Sequence, residues 1–150
     1  MRRVEKEITD RALIDEAILS AKVCRIGLVD GDESYIVPMN FGYGEGCLWF
    51  HSALVGRKVD LVRKNGKASF EMDIDEGMVM DKVADKCTNH FTSIMGTGPI
   101  SIVEGEEKMR GIRYLMSHYS SEQYKMTERC APKTLIFKLE IGSISCKRNR

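Results

Sequence analysis

No apolar run in the chain approaches the length a helix needs to cross a bilayer, so a membrane-spanning role is not expected. The first residues, Met1-Arg2-Arg3-Val4-Glu5-Lys6-Glu7, turn acidic at once and lack a hydrophobic signal core, which makes the cytoplasm the expected compartment. Net charge is nearly absent as well. A formal +1 leaves no whole-protein field that would favour nucleic acid or an anionic membrane surface. The one dense basic cluster, Lys147-Arg148-Arg150, lies at the C-terminus, where such residues are usually a solvated tail. The five cysteines, Cys24, Cys47, Cys87, Cys130 and Cys146, are odd in number and scattered, so they read as buried or bystander thiols and not as a disulfide frame. Cys87 and His90 have ligand-like spacing, but no second pair stands nearby, and no metal site is expected. No Gly-x-Gly-x-x-Gly opens a helix after a strand, and no nucleophile elbow or convincing carboxylate pair appears.

What remains is the composition of an ordinary globular protein, 43% apolar and 30% charged, with 150 residues for one domain spanning 1–150. Thr9 or Asp10 can cap a helix whose apolar positions Ile14, Ala17, Ile18 and Ala21 recur at helical spacing. Residues 23–29 read as a strand with Cys24, Ile26 and Leu28 on one face. Asp30-Gly31-Asp32 is a turn, and 35–43 is a second strand in which Pro38 implies an edge or bulge. Gly44-Glu45-Gly46 turns into a third strand over 47–53. A short helix over 56–64 stops at Asn65-Gly66, and a strand over 67–74 follows. Residues 75–90 read as an irregular excursion. The 91–103 strand carries Gly96 and Gly98, the mark of a bulge or a close backbone approach. A helix over 106–120 has the stripe Met109, Ile112, Met116 and Tyr119, with His118 structural or exposed, and a last strand covers 135–144. Six strands in sequence without long helical crossovers predict a mainly β chain with helices (α+β), its antiparallel sheet closed into a barrel.

Two segments carry chemistry. In Phe50-His51-Ser52-Ala53-Leu54-Val55-Gly56-Arg57-Lys58 a strand ends and a helix begins. Helix starts present unpaired N–H groups and partial positive charge, so Arg57 and Lys58 are poorly placed there unless an anion sits beside them. Ser52 could offer its hydroxyl to the same anion, which points to a phosphate; the alternative is a solvated basic pair. His51 is either an acid–base or stacking group or a satisfied histidine at a barrel rim. Alternation places it on the opposite side of the strand from Ser52. In Tyr35-Ile36-Val37-Pro38-Met39-Asn40-Phe41 the proline removes a ladder donor. A planar heteroaromatic ring could dock there against Asn40, which offers donor and acceptor together; the alternative is an edge strand protected from aggregation.

In order and spacing these segments resemble the pyridoxamine 5′-phosphate oxidase-like flavoproteins, and within them the nitroimidazole-resistance (nitroimidazole reductase-like) branch. The resemblance rests on Cys24-Arg25-Ile26-Gly27-Leu28-Val29, Tyr35 through Tyr43, Trp49-Phe50-His51-Ser52-Ala53 with Gly56-Arg57-Lys58 and Asn65, and Ser93-Ile94-Met95-Gly96-Thr97-Gly98. It implies a six-stranded antiparallel split β-barrel that binds FMN at a homodimer interface. By the same resemblance Val37, Pro38, Met39 and Asn40 line the flavin ring, mostly through backbone groups. Phe50, His51 and Ser52 flank it, and Arg57 with Lys58 holds its phosphate. His51 is the residue implied to be catalytic.

The function implied is an FMN-dependent oxidoreductase passing electrons from a reduced nicotinamide or other donor to a small acceptor, nitroaromatic compounds among them. The alternatives are a flavin carrier or redox sensor without a dedicated reaction, or a relative of the fold that takes FAD, haem or a deazaflavin. Pyridoxamine-phosphate oxidation itself is not expected, since the chain is short and lacks the C-terminal arginine motif of those enzymes.

Overall fold

Asp10 opens the first long helix because its carboxylate accepts from the Ala12 and Leu13 N–H groups, at 2.8 and 3.4 Å, and so satisfies two donors that a helix start leaves unpaired. In this computed structural model, which describes residues 3–122, 124 and 131–150, the elements in chain order are β1 (Glu7–Ile8), α1 (Arg11–Ser20), β2 (Cys24–Asp30) and β3 (Glu33–Met39). Then come β4 (Phe41–Gly44), β5 (Cys47–Ser52), α2 (Arg57–Asn65), β6 (Lys67–Val79), β7 (Thr88–Val103), α3 (Gly105–Tyr119), β8 (Leu135–Glu140) and β9 (Ser143–Asn149). The expected helical face of α1 is the buried one, with Ile14, Ala17 and Ile18 all inside. Cys24, Ile26 and Leu28 of β2 are buried in the same core, alternating with outward residues.

All strand pairs are antiparallel, and the hydrogen-bonded path runs β3-β2-β6-β7-β8-β5-β4. β9 lies beside the first half of β7, from Phe91 to Thr97, and carries β1 on its other side. β8 lies beside the second half of β7, from Ile100 to Val103. The two ends of the path, β3 and β4, are consecutive in the chain and separated by Asn40 alone. β3 is an edge, as Pro38 demands.

Among the described residues nine strands stand where six were expected. Asn40 divides the second expected strand, Ile141-Gly142 divides the last one, and β1 is additional. Residues 75–90 are a second departure. They are no irregular excursion but a hairpin arm: β6 pairs with β7 as far as Val79 opposite Thr88, past a bulge at Asp75/Gly77, and a 3-10 turn (Ala84–Lys86) lies near its tip. The arm rises beyond the core, so Met78, Val79, Met80 and Val83 are exposed and no buried face imposes alternation. The C-terminal basic cluster is also not a loose tail. Lys147 and Arg148 lie in β9, Arg148 donates to Thr92 Oγ1 at 3.1 Å, and Arg150 pairs with Glu76 at 2.9 Å.

One core cluster fills the space enclosed by the sheet and α1, around Ile18, Ile26, Phe41, Phe50, Phe70, Met72 and Phe137. A second lies on the other side of β5, where α3 covers Cys47, Trp49, Val103 and Ile136. Both faces of β5 are therefore buried up to His51. The buried side of α3 is Lys108, Gly111 and Leu115, a stripe rotated from the expected one; Met116 and Tyr119 are largely exposed. Gly111 is the reason. A Cβ there would stand 2.7 Å from both Ile136 and the Trp49 ring, so the helix seats on its smallest residue. At the far end of α3, His118 Nε2 lies 2.8 Å from the Ala21 carbonyl, and the Tyr119 hydroxyl donates to the Lys22 carbonyl while accepting from Phe41 N–H.

His118 makes a prediction. Burial holds its pKa below 6.5, and its Nδ1 is buried without a hydrogen-bond partner, so the folded state resists protonation. Between the depressed value and 6.5 the unfolded chain binds more protons than the folded one. The stability contribution is thus complete above 6.5 and lost as pH falls through that window. Urea midpoints measured from pH 7 down to pH 5 should decline, and His118→Gln should flatten the decline; an unchanged slope in the variant would refute this origin.

Candidate functional site

The register that pairs Phe41 with Phe50 sets Asn40, one step further, opposite His51. From there the chain leaves β5, and by Arg57 it has reached the other end of β3, where the Arg57 guanidinium lies 4.7 Å over the Tyr35 ring. Tyr35 and Asn40, at the two ends of β3, are thus five residues apart, roughly 17 Å at strand rise, and each end carries a different chemistry.

At the Asn40 end, His51 is exposed and Ser52 is 3% exposed, so the two side chains point to opposite sides as alternation required. Ser52 Oγ is buried with no hydrogen-bond partner among the described residues, an unusual state for a buried hydroxyl. Pro38 and Asn40 are exposed, together with Ile36 at 64%. Val37 and Met39 point the other way: Met39 belongs to the core cluster and Val37 packs against it, so either could meet a ligand only through its backbone. Phe50 needs the same correction. Its ring is fully buried in the core, because the strand position that precedes exposed His51 faces inward.

At the other end Gly56, with φ 132°, forms the N-cap of α2 and supplies no side-chain cap, leaving the first N–H groups of the helix open. Lys58 is half-exposed and makes no ion pair among the described residues. Arg57 is different. Its Nε donates to Asp30 Oδ2 at 2.8 Å and its Nη2 to Glu33 Oε2 at 3.3 Å. The anion that sequence reasoning required beside Arg57 is therefore present within the chain, in the β2–β3 turn. Asp30 first, and Glu33 after it, push its already high pKa upward, so it stays cationic. α2 ends as expected, with Gly66 in the left-handed conformation at φ 61°.

Sequence reasoning missed the outward side of β2, β6, β7 and β9. Among the described residues no helix lines this surface, and it holds an open cavity of about 600 Å³ floored by small residues such as Gly27, Ser69, Thr97 and Ser143. Ile36 and Met95 stand exposed at its rim, and Arg25 bridges Glu71 and Asp73 beside it. The signal was present as small residues recurring at outward strand positions, but it is readable only once the register is known. Among the described residues no three His, Cys, Asp or Glu side chains are placed to hold a metal ion, and no helix is long and apolar enough to cross a membrane. Burial raises the thiol pKa values of Cys24, Cys47 and Cys146. Cys87 is partly exposed, and Cys130 lies outside the described residues.

Residues 10–148 match the family described as pyridoxamine 5′-phosphate oxidase. No curated protein sequence matches the chain. Among solved structures, a candidate 5-nitroimidazole antibiotic resistance protein from Bacteroides thetaiotaomicron is 26% identical and superimposes with a TM-score of 0.84, covering 95% of this chain and 86% of its own. The flavocytochrome Anf3 of Azotobacter vinelandii (15% identity, TM-score 0.85, 100% of this chain and 72% of that one) shares the fold. So does an FAD and haem binding protein of Mycobacterium smegmatis (18% identity, TM-score 0.83, 97% and 74%).

Proposed function

Because this chain belongs to the pyridoxamine 5′-phosphate oxidase family, we propose that it is an FMN-dependent oxidoreductase of the cytoplasm, a single split-barrel domain that works as a homodimer. The observation that carries the reading is the pair of unlike groups at the two ends of β3. One end gathers Lys58, Arg57 and the uncapped start of α2, which together suit a phosphate. The other end exposes Pro38, Asn40 and His51 around a stretch of edge strand, which suits a planar ring with donors and acceptors.

The groups present fit a flavin mononucleotide. The orphaned Ser52 hydroxyl is a donor in want of an acceptor, and the open α2 N–H groups are donors in want of an anion. In this reading Lys58 and Arg57 hold the phosphate, Ser52 contacts the bound molecule from the buried side, and Asn40 with the backbone of Val37 to Met39 orients the ring. A bound flavin supplies hydride and electron transfer; the protein supplies position and surroundings. His51, exposed beside Asn40, is the side chain placed to hold or deliver a proton to a reacting acceptor. Small acceptors with nitroaromatic character are the favoured class, since the similar Bacteroides protein is described by resistance to such compounds. The reductant is a reduced nicotinamide or another donor.

The homodimer reading rests on the open outward side of the sheet. Its small-residue floor and exposed Ile36 and Met95 suit a second copy of the same surface better than water. That β3 and β4, the two ends of the hydrogen-bonded path, are joined by Asn40 alone supports the split-barrel reading.

The test is an absorbance spectrum of the purified protein, with and without added FMN. Paired near-ultraviolet and blue bands support the assignment. A Soret band would replace it with haem. A protein that stays colourless and takes up no FMN would sink the flavoenzyme reading. Prompt reoxidation by many acceptors without preference would favour the carrier or sensor.

A further inference from the structure

We propose that Asp30 and Glu33 act as a latch that competes with the phosphate end of the bound flavin for Arg57, and so set how strongly this protein prefers a phosphorylated flavin over an unphosphorylated one. The inference rests on the flavin reading of the β3 edge and deepens it.

A guanidinium offers five N–H donors along two forked edges, and it holds a phosphate best when one whole edge is free. Neither edge of Arg57 is wholly free. Asp30 Oδ2 lies 2.8 Å from both Nε and Nη2 and occupies one edge, while Glu33 at 3.3 Å from Nη2 takes half of the other. The two carboxylates are not independent surface groups. Asp30 and Glu33 are register partners that close the β2–β3 turn, so one rigid hairpin end presents both. Tyr35, two residues on, supports the guanidinium from beneath at 4.7 Å. A phosphate arriving at Lys58 and the α2 start can take Arg57 bidentately only by displacing one carboxylate, and it does so against two nearby negative charges. The groups are exposed, so the competition is moderate and weakens with added salt.

The experiment compares FMN with riboflavin, which has the same ring and no phosphate, by fluorescence titration of the wild type, Glu33→Gln and Asp30→Asn/Glu33→Gln. The latch predicts that the FMN-to-riboflavin affinity ratio rises in order through the series, by about fivefold in the double variant at low salt, and that the gain shrinks at high salt. Riboflavin affinity itself should stay level. An unchanged ratio would overturn the proposal, and so would a falling one, which would mean that the carboxylates hold Arg57 in place for phosphate instead of competing for it. If neither flavin binds any of the three proteins, the flavin reading fails and the latch is decided separately. The Arg57 Nε–H resonance, followed during addition of inorganic phosphate, should then respond at lower concentration in the double variant. An equal or weaker response would refute the latch on its own terms.

Discussion

Gly98→Ala is expected to destabilise the protein by about 3 kcal/mol or more, a large part of the roughly 5–15 kcal/mol that keeps a domain folded. β7 changes partners at this residue. Before it, Thr97 pairs with Ser143 of β9; after it, Ile100 pairs with Leu139 of β8. The chain between β8 and β9 crosses directly over Gly98. A Cβ built there would overlap the Glu140 carbonyl oxygen and come within 3.0 Å of Gly142 N. The obstacle is backbone, not the tip of a flexible side chain, and it is pinned by the hydrogen bond from Gly142 N–H to the Thr97 carbonyl at 3.0 Å. Relief therefore requires moving a strand junction. Urea denaturation of the variant beside Pro99→Ala, whose parent side chain is exposed, measures the difference. A loss under 1 kcal/mol would show that the crossing can yield.

The second large effect concerns the cofactor. Arg57→Ala/Lys58→Ala should weaken FMN binding by about two orders of magnitude, because charge-assisted contacts to phosphate are the strongest single contacts such a ligand makes. Riboflavin should be nearly indifferent, since neither side chain lies at the Asn40 end of β3. Titration with both flavins separates the outcomes. Equal weakening of the two would mean that the double change had disturbed the loop at 52–56 rather than removed a phosphate grip. No weakening of FMN would move the phosphate elsewhere. Both residues are at least partly exposed, so the fold should survive the change.

How much was legible in advance follows from what each residue had to satisfy. Asp10, Ile14 and Ile18 declared α1, and Cys24, Ile26 and Leu28 declared β2, because burial on one side enforces a period. Gly96 and Gly98 announced a close approach, though not what approaches them. The arm from Asp75 to His90 was illegible because strands clear of the core have no side to hide. α3 misled for another reason. Met109, Ile112 and Met116 form a good helical stripe, but the seat is decided by how near Trp49 can come, and that depends on Gly111.

The two poles of the site were visible from residue type: a basic pair at a helix start, a proline and an asparagine on an edge. The inward turn of Phe50, Val37 and Met39 needed the register. Asp30 and Glu33 were hidden because they stand 27 and 24 positions from Arg57, and nothing local connects them.

The double partnership of β7 bears on how the molecule comes apart. With β9 along one half and β8 along the other, neither branch of the sheet possesses a complete set of inner strands without it. Melting either branch strips β7 of neighbours, and losing β7 dissolves the other branch in turn. The ordered remainder after any partial opening is too small to persist, so the protein is built to unfold in a single cooperative step, with the arm alone free to open at lower cost.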